Sequence, residues 1–382
     1  MSSAVYLDNN GTTALEPRVL QAMLPYLSGQ QGNATSRHIF GRAARNAIDQ
    51  AREQVADAVG AHPSQVVFTG SGTEADNLAI SGVGNTQTSG RIAISSIEHP
   101  AVTKPAQALA WQNWKVAKIA SNRDGQIEKA ALAAILEERA DIVSVMLANN
   151  ETGVIQDIAA LGEIARGHKT YMHTDAVQAL GKINVDFVDL NIHAMSLSSH
   201  KINGPQGAGA LILDKRIDIR PLLYGGGQEK GLRSGSENIA AIVGFGAACA
   251  IASHDIQQRT SKLRTLRDRL EHGLKQLDAT VFGAAVERLP NTSFFAFGGI
   301  EGETLVMALD RQGFAVASGS ACSSDSTEPS HVLLAMGVDP DLARGAVRVS
   351  FGSHNTAEEV DAFLHTLHHE LSRLRKLTAI AV

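Results

Sequence analysis

The chain has 382 residues, 44% of them hydrophobic and 19% charged, which is enough to enclose a large core in one or two domains. Its net charge of −5, with no basic block or stripe, argues against a nucleic-acid or anionic-membrane surface. The longest apolar run, Ile239 to Ala252, has 14 residues and is too short to span a bilayer; no signal-like leader opens the sequence and two cysteines make no disulfide framework, so a cytoplasmic protein is expected.

Between residues 66 and 215 apolar, strand-like runs alternate with helical stretches. Strands are expected at Val66–Ser71, Arg91–Ser96, Trp114–Ala120, Asp141–Ala148, Thr170–Asp175, Ala194–Ser199 and Gly207–Leu213. Helices between them are expected at Thr73–Gly84, Glu128–Arg139 and Ile158–Gly167. This rhythm predicts an α/β fold with a mostly parallel sheet covered on both faces. Ligands of such sheets sit at the carboxyl ends of the strands. Ser71 to Thr73, Glu98-His99, Asn149-Asn150-Glu151, Asp175 and Lys201 all fall there.

Past Gly225-Gly226-Gly227 and Arg233-Ser234-Gly235-Ser236 the pattern changes. A long helical stretch runs from about Glu237 to Leu277, with a break expected near His254. Strands follow at Thr292–Phe297, Phe314–Ser318 and Ala346–Phe351, with helices near Glu303–Gln312 and Thr356–Leu374. These predict a smaller α+β domain.

Lys201 ends an apolar run, a place where a charged amine is costly unless paired or chemically used. Such a lysine is a candidate for Schiff-base chemistry, with a snorkelling strand-end lysine as the plain alternative. Asp175 also ends a strand and wants a cation; a protonated pyridine nitrogen, as in pyridoxal phosphate (PLP), is one, and Gln178 three residues on could reach the ring hydroxyl. The alternative is a helix-capping aspartate. Gly70-Ser71-Gly72-Thr73-Glu74 opens a helix after a strand, where free N–H groups make a phosphate cradle, and Ser198 and His200 could add donors. His99 could lie on an aromatic cofactor and move protons. Arg348, inside an apolar strand, wants an anion: a substrate carboxylate or an internal ion pair. Cys249 lies in a small apolar run and reads as inert core, whereas Cys322 lies in a polar, glycine-containing loop where a thiol can ionise and attack. His365, His368 and His369 share a helix face, a spacing too loose to specify a metal site.

Together these pieces resemble the NifS/IscS-type cysteine desulfurases, PLP enzymes of the aspartate-aminotransferase fold (type I). The matching stretches include Tyr6-Leu7-Asp8-Asn9-Asn10, Phe68 to Asn77, Glu98-His99, Asn149 to Gly153, Asp175-Ala176-Val177-Gln178, Ser198-Ser199-His200-Lys201, Arg233 to Ser236 and Ser318 to Cys322. They span nearly the whole chain. The stretch from Cys322 to Leu333 is similar to the long cysteine loop of the group that includes NifS and IscS.

The resemblance implies a large PLP-binding domain over 16–255, and a small domain formed by 1–15 and 256–382 that carries the reactive cysteine loop. It implies that Lys201 holds the cofactor covalently and shuttles the substrate Cα proton, with His99 stacked on the ring as acid/base. Asp175 then pairs with the pyridine nitrogen and Gln178 with the ring oxygen. Gly72, Thr73, Ser198 and His200 hold the phosphate, joined by Ser236 from the second subunit of a homodimer. Asn150 and Arg348 orient the carboxylate of L-cysteine, and Cys322 takes the sulfur as a persulfide for an acceptor such as an iron–sulfur scaffold. Gly11 and Ser236 stand where alanine and threonine are usual, and the short stretch after the last helix leans toward a NifS-like member. Another PLP enzyme of this fold, or a non-catalytic sulfur carrier, is the rival reading.

Overall fold

The computed structural model describes residues 4–319 and 328–380. Its centre is a seven-stranded sheet in the order Val66–Thr69, Gly209–Leu213, Ala194–Ser198, Tyr171–Asp175, Ile142–Ser144, Gly90–Ser95, Trp114–Ile119. Gly209–Leu213 runs antiparallel to both its neighbours, and every other pairing is parallel.

The strands are buried on both faces, and residue parity decides which core each side chain joins. Val66, Phe68, Ala93, Val143, Met195 and Ile212 enter one cluster. Their neighbours Val67, Ile92, Ile94, Ile142, Ala194 and Leu211 enter another on the opposite face. The second face is covered by the helices Gly72–Gly84 and Pro100–Leu109 through Leu78, Val83, Val102 and Leu109. The first is covered by Ile39–Asp57, Ile158–Gly167 and Ile239–His254, whose Phe245 and Cys249 are fully buried.

The expected break in the long helix lies at Asp255, where Ile239–His254 and Ile256–Gln276 meet at 75°. Beyond the bend, Leu263, Leu266, Leu270 and Leu274 leave the first core and pack with Leu7, Phe363, Leu367 and Leu371 in a third cluster. That cluster lies against a four-stranded antiparallel sheet ordered Ala317–Ser318, Val347–Ser350, Thr292–Ala296, Thr280–Val281. The amino-terminal strand Val5–Tyr6 pairs in parallel with Phe314–Ala315, which ties the start of the chain to this smaller unit. Its last helix, Ala357–Ile380, contributes Val360 and Leu374 to the same core.

One buried ion pair fastens the loop before the long helix. Arg52 makes two bonds to Glu229, at 2.8 and 2.7 Å, and Glu229 also accepts from the Phe68 N–H at 2.8 Å. Both side chains are buried, and the guanidinium lies over the Phe68 ring. No single helix among the described residues is long and apolar enough to cross a membrane.

Candidate active site

A cavity of about 400 Å³ opens at the carboxyl ends of the central strands, where the amino-terminal segment and the smaller unit meet the large sheet. Five strand ends feed it. Thr69 leads to Ser71–Thr73, Ser95 to His99, Ser144 to Met146 and Asn150, Asp175 to Gln178, and Ser198 to Lys201. Lys201 closes a short 3-10 turn, Ser199–Lys201, and its Nζ donates to the carbonyls of Asn10 at 2.6 Å and Gly11 at 2.7 Å.

Asp175 is buried at the end of its strand, with Oδ1 accepting from the Val177 N–H at 2.9 Å. Burial raises its pKa to about 6, against the opposing pull of that N–H and of Lys201. It is therefore an anion at neutral pH that gains from a cationic partner. At the far side, Ser71 caps the helix Gly72–Gly84 by accepting from the Glu74 N–H. The first-turn N–H groups of Gly72 and Thr73 face no intrahelical acceptor, and Ser198 adds its hydroxyl to the same wall. Only glycine fits at 72: a Cβ would come within 2.8 Å of Val177 Cγ2 and 3.1 Å of Ser198 Cβ.

His99 caps the helix Pro100–Leu109, its Nδ1 accepting from the Ala101 N–H at 3.1 Å. That bond puts the ring proton on Nε2. Burial first, then Lys201 and His331, lowers its pKa to about 4, so the ring is neutral at physiological pH. His200 is lowered to about 4 by burial and by Lys201 and Lys182, and its Nδ1 pairs with the Thr12 hydroxyl at 3.0 Å. Arg348 takes the internal-pair option in part. It donates to Asp8 Oδ1 at 2.6 Å and to the Asn150 carbonyl at 2.9 Å, while its buried Nε has no partner.

The structure thus brings Gly72, Thr73, His99, Asn150, Asp175, Gln178, Ser198, His200, Lys201 and Arg348 to one cavity. Ser236 is exposed and does not line it. Cys322 lies outside the described residues. Cys249 is buried, and burial pushes its thiol pKa up. No cluster of three or more His, Cys, Asp or Glu able to hold a metal occurs among the described residues.

Two contributors carried no assigned role at the level of sequence. Asn10 sits at the centre of the polar contacts: its Nδ2 donates to Thr292 Oγ1 at 2.8 Å and to the Asn150 carbonyl at 3.2 Å, and its Oδ1 accepts from Asn291 at 3.0 Å. Asp76 lines the cavity with one buried oxygen lacking a partner, 3.5 Å from His173 Nε2. Burial and the nearby Asp175 raise its pKa well above the carboxylate range.

Comparison with known proteins places this geometry. The aminotransferase class-V family profile matches residues 5–363. The chain belongs to that family. It is 41% identical over 382 residues to a cysteine desulfurase IscS of Methanosarcina thermophila, covering 99% of this chain and 95% of that protein. It superposes on a solved NifS-like protein with a TM-score of 0.91 at 37% identity, covering 97% and 99% of the two chains. A structure described as SspA in complex with cysteine matches with a TM-score of 0.81 at 31% identity, covering 92% and 99%. The fold is accordingly the aspartate-aminotransferase-like type I fold of the PLP-dependent NifS/IscS-type desulfurases.

Proposed function

We propose that the protein is a PLP-dependent cysteine desulfurase, which takes sulfur from L-cysteine, leaves L-alanine, and carries the sulfur as a persulfide on Cys322. The carrying observation is the convergence of Lys201, Asp175 and the glycine-opened turn at Gly72-Thr73 on one cavity, in a chain with desulfurase relatives along its whole length. The residues fit the cofactor. Asp175, a buried anion, suits the pyridine nitrogen, and the free N–H groups of Gly72 and Thr73 with Ser198 and His200 suit the phosphate. Gln178 suits the ring oxygen, and Lys201 the covalent link. Bound there, PLP supplies an electron sink for the charge left at the substrate Cα.

The chain's own residues do the rest. Lys201 would remove the substrate Cα proton, and Asn150 and Arg348 would orient the carboxylate. His99, neutral with its hydrogen on Nε2, donates or relays protons at the ring face. The Cys322 thiolate attacks the substrate sulfur; an S–S bond forms, the carbon–sulfur bond breaks, and the electron pair left on the carbon takes a proton to give alanine.

The wider reading follows the same logic. A large domain of 16–255 and a small one of 1–15 with 256–382 are supported by the separate core beyond the Asp255 bend. A homodimer is supported by the apolar stripe Leu20, Leu24, Leu27 on the exposed face of the helix Pro17–Ser28, and by Ser236 lying outside its own cavity where it could serve a second subunit. The sulfur acceptor is a protein such as an iron–sulfur scaffold. The decisive experiment adds L-cysteine to the purified, PLP-loaded protein and quantifies products. Alanine with protein-bound persulfide is expected; a keto acid in their place overturns the reading.

A further inference from the structure

Lys182 is a buried amine in the turn that follows the strand Tyr171–Asp175, and it does not line the cavity. Its Nζ donates to Gln178 Oε1 at 2.6 Å and to Asn10 Oδ1 at 3.1 Å. No ion pair holds it among the described residues. Burial first, then the charges of Lys201 and Arg348, pushes its pKa well below the lysine range. An amine held this way is costly to keep, and an apolar side chain would fill the space at lower cost.

The two oxygens it touches belong to amides whose other ends are fixed independently. Asn10 Nδ2 is held by the Asn150 carbonyl and Thr292, and Gln178 Nε2 donates to the Asn10 carbonyl at 2.9 Å. That same carbonyl accepts Lys201. Lys182, Gln178, Asn10 and Lys201 therefore form one chain of hydrogen bonds, with Lys182 at the end remote from the cavity.

Resting on the PLP reading above, we propose that Lys182 is a positioning residue that pins the Gln178 amide, sharpens its N–H toward the ring oxygen of the bound cofactor, and thereby sets the proton affinity of the nitrogen joining Lys201 to that cofactor. Drawing on Oε1 polarises the amide and makes Nε2 a stronger donor, because hydrogen bonds in series reinforce one another. A strong donor at the ring oxygen weakens that oxygen's hold on the neighbouring proton. That loosening lowers the proton affinity of the linked nitrogen. The titratable and charged groups that share the cavity with Lys201 are Asp8, Asp76, His99, Asp175, His200 and Arg348, with Lys182 behind Gln178. Of these groups, Lys182 is the one that donates to Gln178 Oε1, and that bond is the route by which it acts.

The test is a pH titration of the visible absorption of the PLP-loaded protein, comparing wild type with Lys182→Met. The midpoint is expected to rise by about one pH unit in the variant. A combined K182M/Q178L protein should shift no further than Q178L alone, since Lys182 acts through Gln178. Should K182M fail to fold, K182Q, which keeps a neutral donor, carries the test with a smaller rise. A PLP-loaded variant with the wild-type midpoint, or additive shifts in the combined protein, overturns the inference while leaving the cofactor reading intact. A wild-type protein that takes up no PLP overturns the cofactor reading and the inference with it.

Discussion

Lys201 and Gln178 share one acceptor: the Nζ of the first and the Nε2 of the second donate to the main-chain carbonyl of Asn10, at 2.6 and 2.9 Å. The amine expected to bear the cofactor and the amide expected to touch its ring are thus set relative to each other by the amino-terminal segment. A backbone carbonyl cannot be removed by substitution, so this coupling survives side-chain changes at position 10.

Asp175 makes stability depend on pH in the cofactor-free protein. Its folded pKa, about 6, lies above the ordinary value of 3.8. Between those values the native state binds a proton that the unfolded chain has lost, so stability falls as pH rises through this window. Asp175→Asn removes that loss while keeping an acceptor for the Val177 N–H. The cofactor-free variant should be more stable than wild type at neutral pH, by up to about 3 kcal/mol, and the gap should close in acid. Urea melts at both pH values check this, and equal stability throughout would count against an ionised, buried Asp175. The same variant should bind PLP more weakly.

His99 is neutral down to about pH 4 in the cofactor-free protein. Its imidazole signals should not titrate between about pH 5 and pH 8, the range in which an ordinary histidine changes charge. His99→Ala should still bind PLP, with kcat lowered roughly 10²- to 10⁴-fold, the usual scale for loss of a general acid or base. A His99 titration near pH 6.5 would show that the ring is more hydrated than its burial implies.

Cys322→Ser should bind PLP and L-cysteine yet yield no persulfide and no sulfide. Absorption spectra and sulfide release give the two readouts. Full sulfide release by this variant would remove the thiol from the mechanism.

Arg52→Met should destabilise the fold by about 3–5 kcal/mol, because it strands the Glu229 carboxylate in the core. Chemical denaturation reads this directly. Replacing both residues by apolar ones should recover much of the loss, which distinguishes a stranded charge from lost packing.

The central sheet was legible because its strands are short apolar runs that alternate with longer helical stretches. Boundaries were softer. Asp141–Ala148 reads as one strand, yet regular pairing ends at Ser144; beyond it the Val145 N–H still donates to the His173 carbonyl and the Leu147 N–H to the Asp175 carbonyl. The break expected near His254 falls at Asp255, where an apolar helix gives way to a strongly polar one. Site residues at strand ends were legible because topology sends ligands there. Lys182 was not, since a lysine between a glycine turn and a polar loop ordinarily faces water. Asn10 was not either. Its partners Lys182, Thr292 and Asn291 lie 172 to 282 residues away in sequence, and no local pattern encodes such contacts.

Because Asp8 already pairs with one nitrogen of Arg348, an arriving carboxylate competes with it for that group. What the enzyme feels on filling its cleft is the difference between two similar pairings, a small quantity, so grip on the amino acid should be modest and turnover should not be held back by reluctant departure of the product's own carboxylate. The displaced aspartate, two residues from the strand Val5–Tyr6, would carry news of occupancy to the seam between the two sheets.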